Sequence, residues 1–160
     1  MNIIIDHPSV DDAGSMWELA KNTSLDLNSS YSYLMMAEFF SDTCMIARDE
    51  DKLIAFMTGF QFKSSPDSYF VWQIAVDPDY RNQKLAQKMI YQMVKEVDPQ
   101  FIQANITTAN KASINMFKIV AENYNTEFKS SRGFSEEDFP DDHQAEMLIT
   151  IGPLRRFRYD

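Results

Sequence analysis

The apolar positions of the chain switch repeatedly between the two-residue period of a strand and the 3.6-residue period of a helix. Ile3-Ile4-Ile5 centres a short strand over residues 2–6. Ser9, with Asp12 three residues on, reads as a helix N-cap in a variant of the capping box. Met16, Trp17, Leu19 and Ala20 line the inner side of a helix that stops near Asn22. A polar loop with two leucines, residues 24–30, leads into a second helix over about 30–40. Its Tyr31, Tyr33, Leu34, Met35, Met36, Phe39 and Phe40 occupy more than one face, which predicts a helix wedged between other elements. Residues 42–48 and 52–62 read as strands joined at Asp49-Glu50-Asp51 into an antiparallel hairpin, and 63–68 reads as a loop containing Pro66-Asp67. A strand over 69–76, rich in β-branched and aromatic residues, ends at Asp77-Pro78, because proline lacks a ladder donor and disfavours helical backbone before it. A helix then starts near Asn82, with Leu85, Ala86, Met89, Ile90, Met93, Val94 and Val97 on one apolar face, until Asp98-Pro99 breaks it. A strand at 101–107, a helix from Asn110 carrying Ile114, Phe117, Val120, Ala121 and Tyr124 on one face, a weak strand at 127–131, an acidic loop at 135–142 and a last strand at 145–151 complete the pattern. The basic tail, 154–160, is expected to fray. The order is β-α-α-β-β-β-α-β-α-β-β.

At 160 residues, with 44% hydrophobic and 13% aromatic content, the chain is expected to form a single packed domain, 1–160. Its net charge of −9 argues against nucleic acid as a partner, since phosphate binding needs a basic face. It leaves room for an anionic ligand held by a local cluster of amides. An acidic surface either steers a cationic substrate or only keeps the protein soluble. The single cysteine, Cys44, lies in an apolar run and reads as a buried structural thiol, which fits a reducing compartment. With no basic-then-apolar leader and no apolar run of membrane length, the expected location is the cytoplasm, away from membranes.

The candidate chemistry starts at the strand, loop and helix spanning 69–97. Residues 81–86 fall where the first N–H groups of a helix have no internal partner, a ready anion site. "AVDPDYRNQKLAQKMI" resembles motif A of the Gcn5-related N-acetyltransferases, patterned Q/R-x-x-G-x-G/A. Arg81 matches the first position and Ala86 the last, while Lys84 stands where the family usually has glycine. The resemblance implies an α/β fold: a central twisted mixed sheet flanked by helices, with a splayed strand pair, 69–76 and 101–107. It implies acetyl-coenzyme A as co-substrate, with no metal. Its pyrophosphate is expected on the amides of Arg81, Asn82, Gln83, Lys84, Leu85 and Ala86, and its pantetheine arm along Ile74, Ala75 and Val76. Asn110 matches the family's later N-x-x-[AS] motif, and Phe117 stands where many members carry a tyrosine that protonates the leaving thiolate.

Four further pieces, "LDLNSSYSYL", "FSDTCMIA", "PDSYFVWQIAVDP" and "EDFP…HQAEMLITIGPL", resemble the branch of the family that acetylates the γ-amino group of L-2,4-diaminobutyrate in ectoine biosynthesis, whose members are homodimers. Such a substrate has two ammonium groups and one carboxylate. Asp26, between Leu25 and Leu27, is the expected partner of one ammonium by the resemblance, although by itself it reads rather as a turn or helix-cap residue. Asn28, Ser29 and Ser30 offer donors for the carboxylate. Tyr31 and Trp72 either wall the pocket or belong to the core. Glu146 is the expected proton acceptor, with His143 as rival. Since Phe117 has no proton to give, the thiolate takes one from water or Tyr31, or leaves unaided. Two other readings stay open: an acetyltransferase for another small amine or amino acid, and a non-catalytic acyl-coenzyme A binding module.

Overall fold

A computed structural model describes residues 2–154. Its elements follow the expected order: β1 (Ile3–Asp6), α1 (Ala13–Lys21), α2 (Ser30–Phe39), β2 (Met45–Asp49), β3 (Lys52–Phe62), β4 (Ser65–Val76), α3 (Leu85–Val97), β5 (Phe101–Thr107), α4 (Lys111–Asn123), β6 (Phe128–Arg132) and β7 (Glu146–Ile151). The strands hydrogen-bond in the order β1-β2-β3-β4-β5-β7-β6, a mixed sheet. The basic tail expected after Leu154 lies outside the described residues. The chain divides into two compact units, 1–60 with 71–97 and 61–70 with 98–160, so that β3 and β4 contribute to both.

In the first unit, β1 pairs antiparallel with β2, and β2 with β3 through a turn in which Glu50 takes a left-handed φ of 54°. Ala13, Met16, Leu19 and Ala20 of α1 pack with Tyr33 and Ala37 of α2 over Ile46, Phe56 and Ala75 of the strands. Strand alternation turns the buried Met45 and Ala47 away from Ile46. Helix α3, whose Leu85, Met89, Ile90 and Met93 are buried, packs along β2. The capping box at the entrance to α1 forms as expected, with Ser9 N–H and Oγ–H both donating to Asp12 Oδ2, at 2.8 and 3.0 Å. Arg48 pairs with the other oxygen of that carboxylate. Burial works against the charge of Asp12, but the Ser9 and Arg48 donors outweigh it and hold its carboxyl below the usual range.

Two expectations for this unit are corrected. Helix α2 is not wedged: Tyr33, Met36 and Ala37 are buried, whereas Tyr31 and Phe39 are both 67% exposed. Periodicity identifies apolar positions, not what covers them. Helix α3 begins at Leu85, not near Asn82. Pro78–Tyr80 form a 3-10 turn, and Asn82 and Lys84 take left-handed φ values of 66° and 59°, which interrupt helical backbone.

In the second unit, β4 starts at Ser65, four residues earlier than expected, after a two-residue turn at Lys63-Ser64. Pro66 sits near the strand start, where its missing donor is tolerated, and its carbonyl accepts from Gln61 Nε2 at 2.8 Å. The parallel β4–β5 ladder pairs Ser68–Phe70 with Phe101–Gln103, and both strands run on past it. Strand β7 lies antiparallel to both β5 and β6, and its first residue, Glu146, pairs with Thr107 at the end of β5. Helix α4 buries Ile114, Phe117, Val120 and Ala121.

Candidate active site

The turn between β4 and α3 is tied down before it reaches the candidate anion site. Asp77 accepts the Asp79 N–H at 2.9 Å and pairs with Lys52 at 2.8 Å. Tyr80 Oη–H donates to Asp49 Oδ2 at 3.1 Å, with the Lys52 ammonium over the Tyr80 ring. The next residues, Arg81, Asn82 and Lys84, are exposed. Lys84 occupies a backbone conformation that glycine adopts freely and other residues adopt at a cost, which accounts physically for the glycine usual in the motif. Its carbonyl takes the Lys88 N–H at 2.9 Å and so starts α3. The first amides of α3 have no partner within the helix and carry the positive end of its dipole. A pyrophosphate is held best by a cradle of amides with no Cβ at its crowded point; the exposed 81–84 turn, with α3 behind it, offers the amides, while Lys84 places a Cβ where the motif usually has none. The side chains of Ala75 and Leu85 are buried, so those residues can serve a ligand only through backbone, whereas Gln83, Ala86, Ile74 and Val76 are half-buried.

The 22–29 loop of the same unit carries Asp26, Leu27 and Asn28, the first two exposed and Asn28 half-buried. Gln73 on β4 donates from Nε2 to the Asp26 carbonyl at 2.9 Å and accepts at Oε1 from Tyr33 Oη–H, also at 2.9 Å. Asn28 donates from backbone and side chain to the Tyr33 hydroxyl. Burial raises the Tyr33 pKa despite these donors. Trp72, on the opposite face of β4 from Gln73, is 42% exposed, so it is not a core residue, and neither is Tyr31 on the first turn of α2. Sequence reasoning missed Tyr33 and Gln73 as supports of this loop. The available signal was a polar Gln73 between Val71 and Ala75 on the core-facing side of an apolar strand.

In the second unit, His143 Nε2 lies 3.8 Å from Glu146 Oε1. The histidine Nδ1 is 2.6 Å from the Gln144 carbonyl, which can only accept, so Nδ1 carries the proton of that bond and Nε2 is the nitrogen that faces Glu146. Phe139 stacks on the imidazole at 3.9 Å between centroids, and Phe134 meets Phe139 edge-on. Glu146 is fixed through its backbone: its N–H donates to the Phe134 carbonyl at 2.8 Å, and its carbonyl accepts from Gly133 at 3.1 Å. Glu146 lines a cavity of about 570 Å³, around which Lys111 and Arg132 contribute cations and Glu136 a further acid. Asn110 is exposed and caps α4, accepting the Ser113 N–H at 3.2 Å. Phe117 is 3% exposed, its ring in the core of the unit. Among the described residues, no group of three or more His, Cys, Asp or Glu side chains is placed to hold a metal ion.

Residues 14–120, more than half the chain, match the acetyltransferase (GNAT) family profile. The chain is 41% identical to the L-2,4-diaminobutyric acid acetyltransferase of Marinococcus halophilus over 97% of its own length and 92% of that protein. It is also 41% identical to the enzyme of the same name from Halalkalibacterium halodurans, over 95% and 82%. Its structure superposes on the diaminobutyrate acetyltransferase EctA from Paenibacillus lautus, solved with its substrate L-2,4-diaminobutyric acid and coenzyme A, with a TM-score of 0.92 and 34% identity over 97% of each chain. The ribosomal-protein-S18-alanine N-acetyltransferase of Escherichia coli shares the fold, with a TM-score of 0.70 and 15% identity over 99% of each chain.

Proposed function

The chain belongs to the GNAT acetyltransferase family, and from that premise we propose that it transfers the acetyl group of acetyl-coenzyme A to the 4-amino group of L-2,4-diaminobutyrate, giving N4-acetyl-2,4-diaminobutyrate for ectoine biosynthesis. It is an acyltransferase. The observation that carries the substrate assignment is the match, over nearly the whole chain, to a structure holding both diaminobutyric acid and coenzyme A.

Acetyl-coenzyme A brings the activated thioester, and the chain's residues do the rest. The 81–86 turn and the first amides of α3 hold the pyrophosphate. Backbone N–H groups near Ile74, Ala75 and Val76 stabilise negative charge developing on the carbonyl oxygen. Asp26 holds the ammonium that must not react, with Leu27, Asn28, Tyr31 and Trp72 around the substrate. The reacting ammonium, with an ordinary pKa of about 10, must lose a proton first. Glu146 takes it, with His143 Nε2 beside it as relay or rival. The N–C bond then forms, the C–S bond breaks, the nitrogen gives up its second proton to water, and the thiolate takes one from water or Tyr31.

We further infer a single acetyltransferase domain acting in the cytoplasm as a homodimer, without nucleic acid or membrane as partner. The buried Cys44, whose thiol burial pushes up to about 12, suits a reducing compartment, and the exposed Leu34 and Phe39 on α2 suit a protein partner. No helix among the described residues is long and apolar enough to cross a membrane. The experiment is coenzyme A release with diaminobutyrate, ornithine, lysine and putrescine in parallel. Diaminobutyrate is expected to give the highest kcat/KM. Equal rates on all four would overturn the substrate assignment, and no release with any would overturn the activity.

A further inference from the structure

The network behind the 22–29 loop goes beyond the residues that face substrate. Gln73 is 7% exposed, so its amide has little water to satisfy it. The Asp26 carbonyl can only accept, which orients the Gln73 amide with Nε2 toward the loop and Oε1 toward Tyr33. The Tyr33 hydroxyl then gives its proton to Gln73 and accepts from Asn28. The loop is thus pinned at Asp26 and Asn28, on both sides of Leu27, by one buried pair.

The geometry points to Gln73 and Tyr33 as positioning residues that set where residues 26–28 stand, and thereby govern affinity for the amine substrate and discrimination among amines without entering the chemistry. This inference rests on the substrate-binding role proposed for the 26–28 segment. The bond from Gln73 to the Asp26 carbonyl fixes the backbone from which the exposed Asp26 side chain projects. An error of a fraction of an ångström there falls on a charge-assisted contact, the most geometry-dependent kind.

Tyr33→Phe keeps the ring on Phe56, with which it makes an edge contact at 5.8 Å, and removes only the hydroxyl. Gln73→Leu removes both ends of the amide. In each variant KM for diaminobutyrate is expected to rise about five- to tenfold, the scale of one lost hydrogen bond. The KM for acetyl-coenzyme A and kcat at saturating amine should stay within about twofold. The preference for diaminobutyrate over ornithine should shrink. A general loss of structure would instead lower kcat and raise both KM values together, and that pattern, or unchanged kinetics in Tyr33→Phe, overturns the inference. If Gln73→Leu does not fold, Tyr33→Phe carries the test alone. The amine used is whichever the wild type prefers, so a wrong substrate assignment appears in the wild type, and a wrong positioning role only in the variants.

Discussion

Lys84 shows what one residue can reveal. The resemblance to motif A expects glycine at that position, and the backbone there is left-handed, at φ 59°. A residue with a Cβ loses about 1–2 kcal/mol in that conformation. Glycine regains it but gives back about 0.4–1 kcal/mol through its freer unfolded chain. Lys84→Gly is therefore expected to raise stability by about 0.5–1 kcal/mol in denaturant titration and to leave coenzyme A affinity within about tenfold. A much larger rise in affinity would mean that the lysine side chain obstructs the pyrophosphate site, against the reading given above. The two proposed carboxylates make a sharper pair. Asp26→Asn removes a charge-assisted contact, worth roughly 1.5–3 kcal/mol, and should appear mainly in KM for the amine. Glu146→Gln should lower kcat by a factor on the order of 10² to 10⁴ with little change in coenzyme A binding. Full turnover in Glu146→Gln alongside a crippled His143→Ala would assign the proton to the histidine. The residue types at these positions were legible from the sequence, but their supports were not. Nothing local in the chain links Gln73 to Asp26, because the hydrogen bond between them spans 47 positions.

Single elements were read well where one covered face decided them, and poorly where backbone geometry or a missing neighbour did. Strands β3 and β5 have the expected bounds. The start of α3 was misplaced by the left-handed residues before it, and β4 was shortened because Pro66 reads as a loop residue. The placement of β7 between β5 and β6 was not legible at all, since antiparallel pairing across tens of residues leaves no periodic signature. That pairing is what carries Glu146, and Gly133 is the point at which it can be tested. A Cβ on Gly133 would lie 2.7 Å from the Glu146 carbonyl oxygen and 3.0 Å from Leu148 N, both backbone atoms that cannot swing away. Gly133→Ala must displace the start of β7, at a cost of about 1–3 kcal/mol, and the displacement should lower kcat more than it changes KM for acetyl-coenzyme A. Gly14→Ala is the control: a Cβ there meets nothing within 4 Å, and alanine in α1 should stabilise by about 0.5–1 kcal/mol with turnover unchanged. Equal kinetic effects from the two substitutions would remove β7 placement as a determinant of rate.

For the molecule as a whole, 24 acidic against 15 basic residues make self-repulsion grow as pH rises, and one histidine adds to that trend. His7, just after β1, shares its Nδ1–H between the Ser41 and Cys44 carbonyls, both at 2.9 Å, while Nε2 meets Glu96 of α3 at 2.6 Å. Burial disfavours its charge, but the Cys44 carbonyl, Glu96 and the Ser41 carbonyl together outweigh it and raise its pKa above 6.5. A group whose folded pKa is raised contributes stability that is fully present below its unfolded value and is lost as pH climbs through the folded one. For Asp12 the folded pKa is lowered, so its contribution is present above 3.8 and is lost as pH falls through the folded value. The two together place the stability maximum on the mildly acidic side, between those unfolded values. Catalysis pulls the other way, because the amine must be deprotonated and the proton acceptor ionised. Thermal midpoints are therefore expected to fall from about pH 6 toward pH 8 while turnover rises across the same interval. His7→Gln should flatten the neutral limb of the stability curve and leave the acid limb, set by Asp12 and other carboxylates, in place. An unchanged neutral limb in His7→Gln would attribute the fall to general charge repulsion, which added salt should then suppress in both proteins alike.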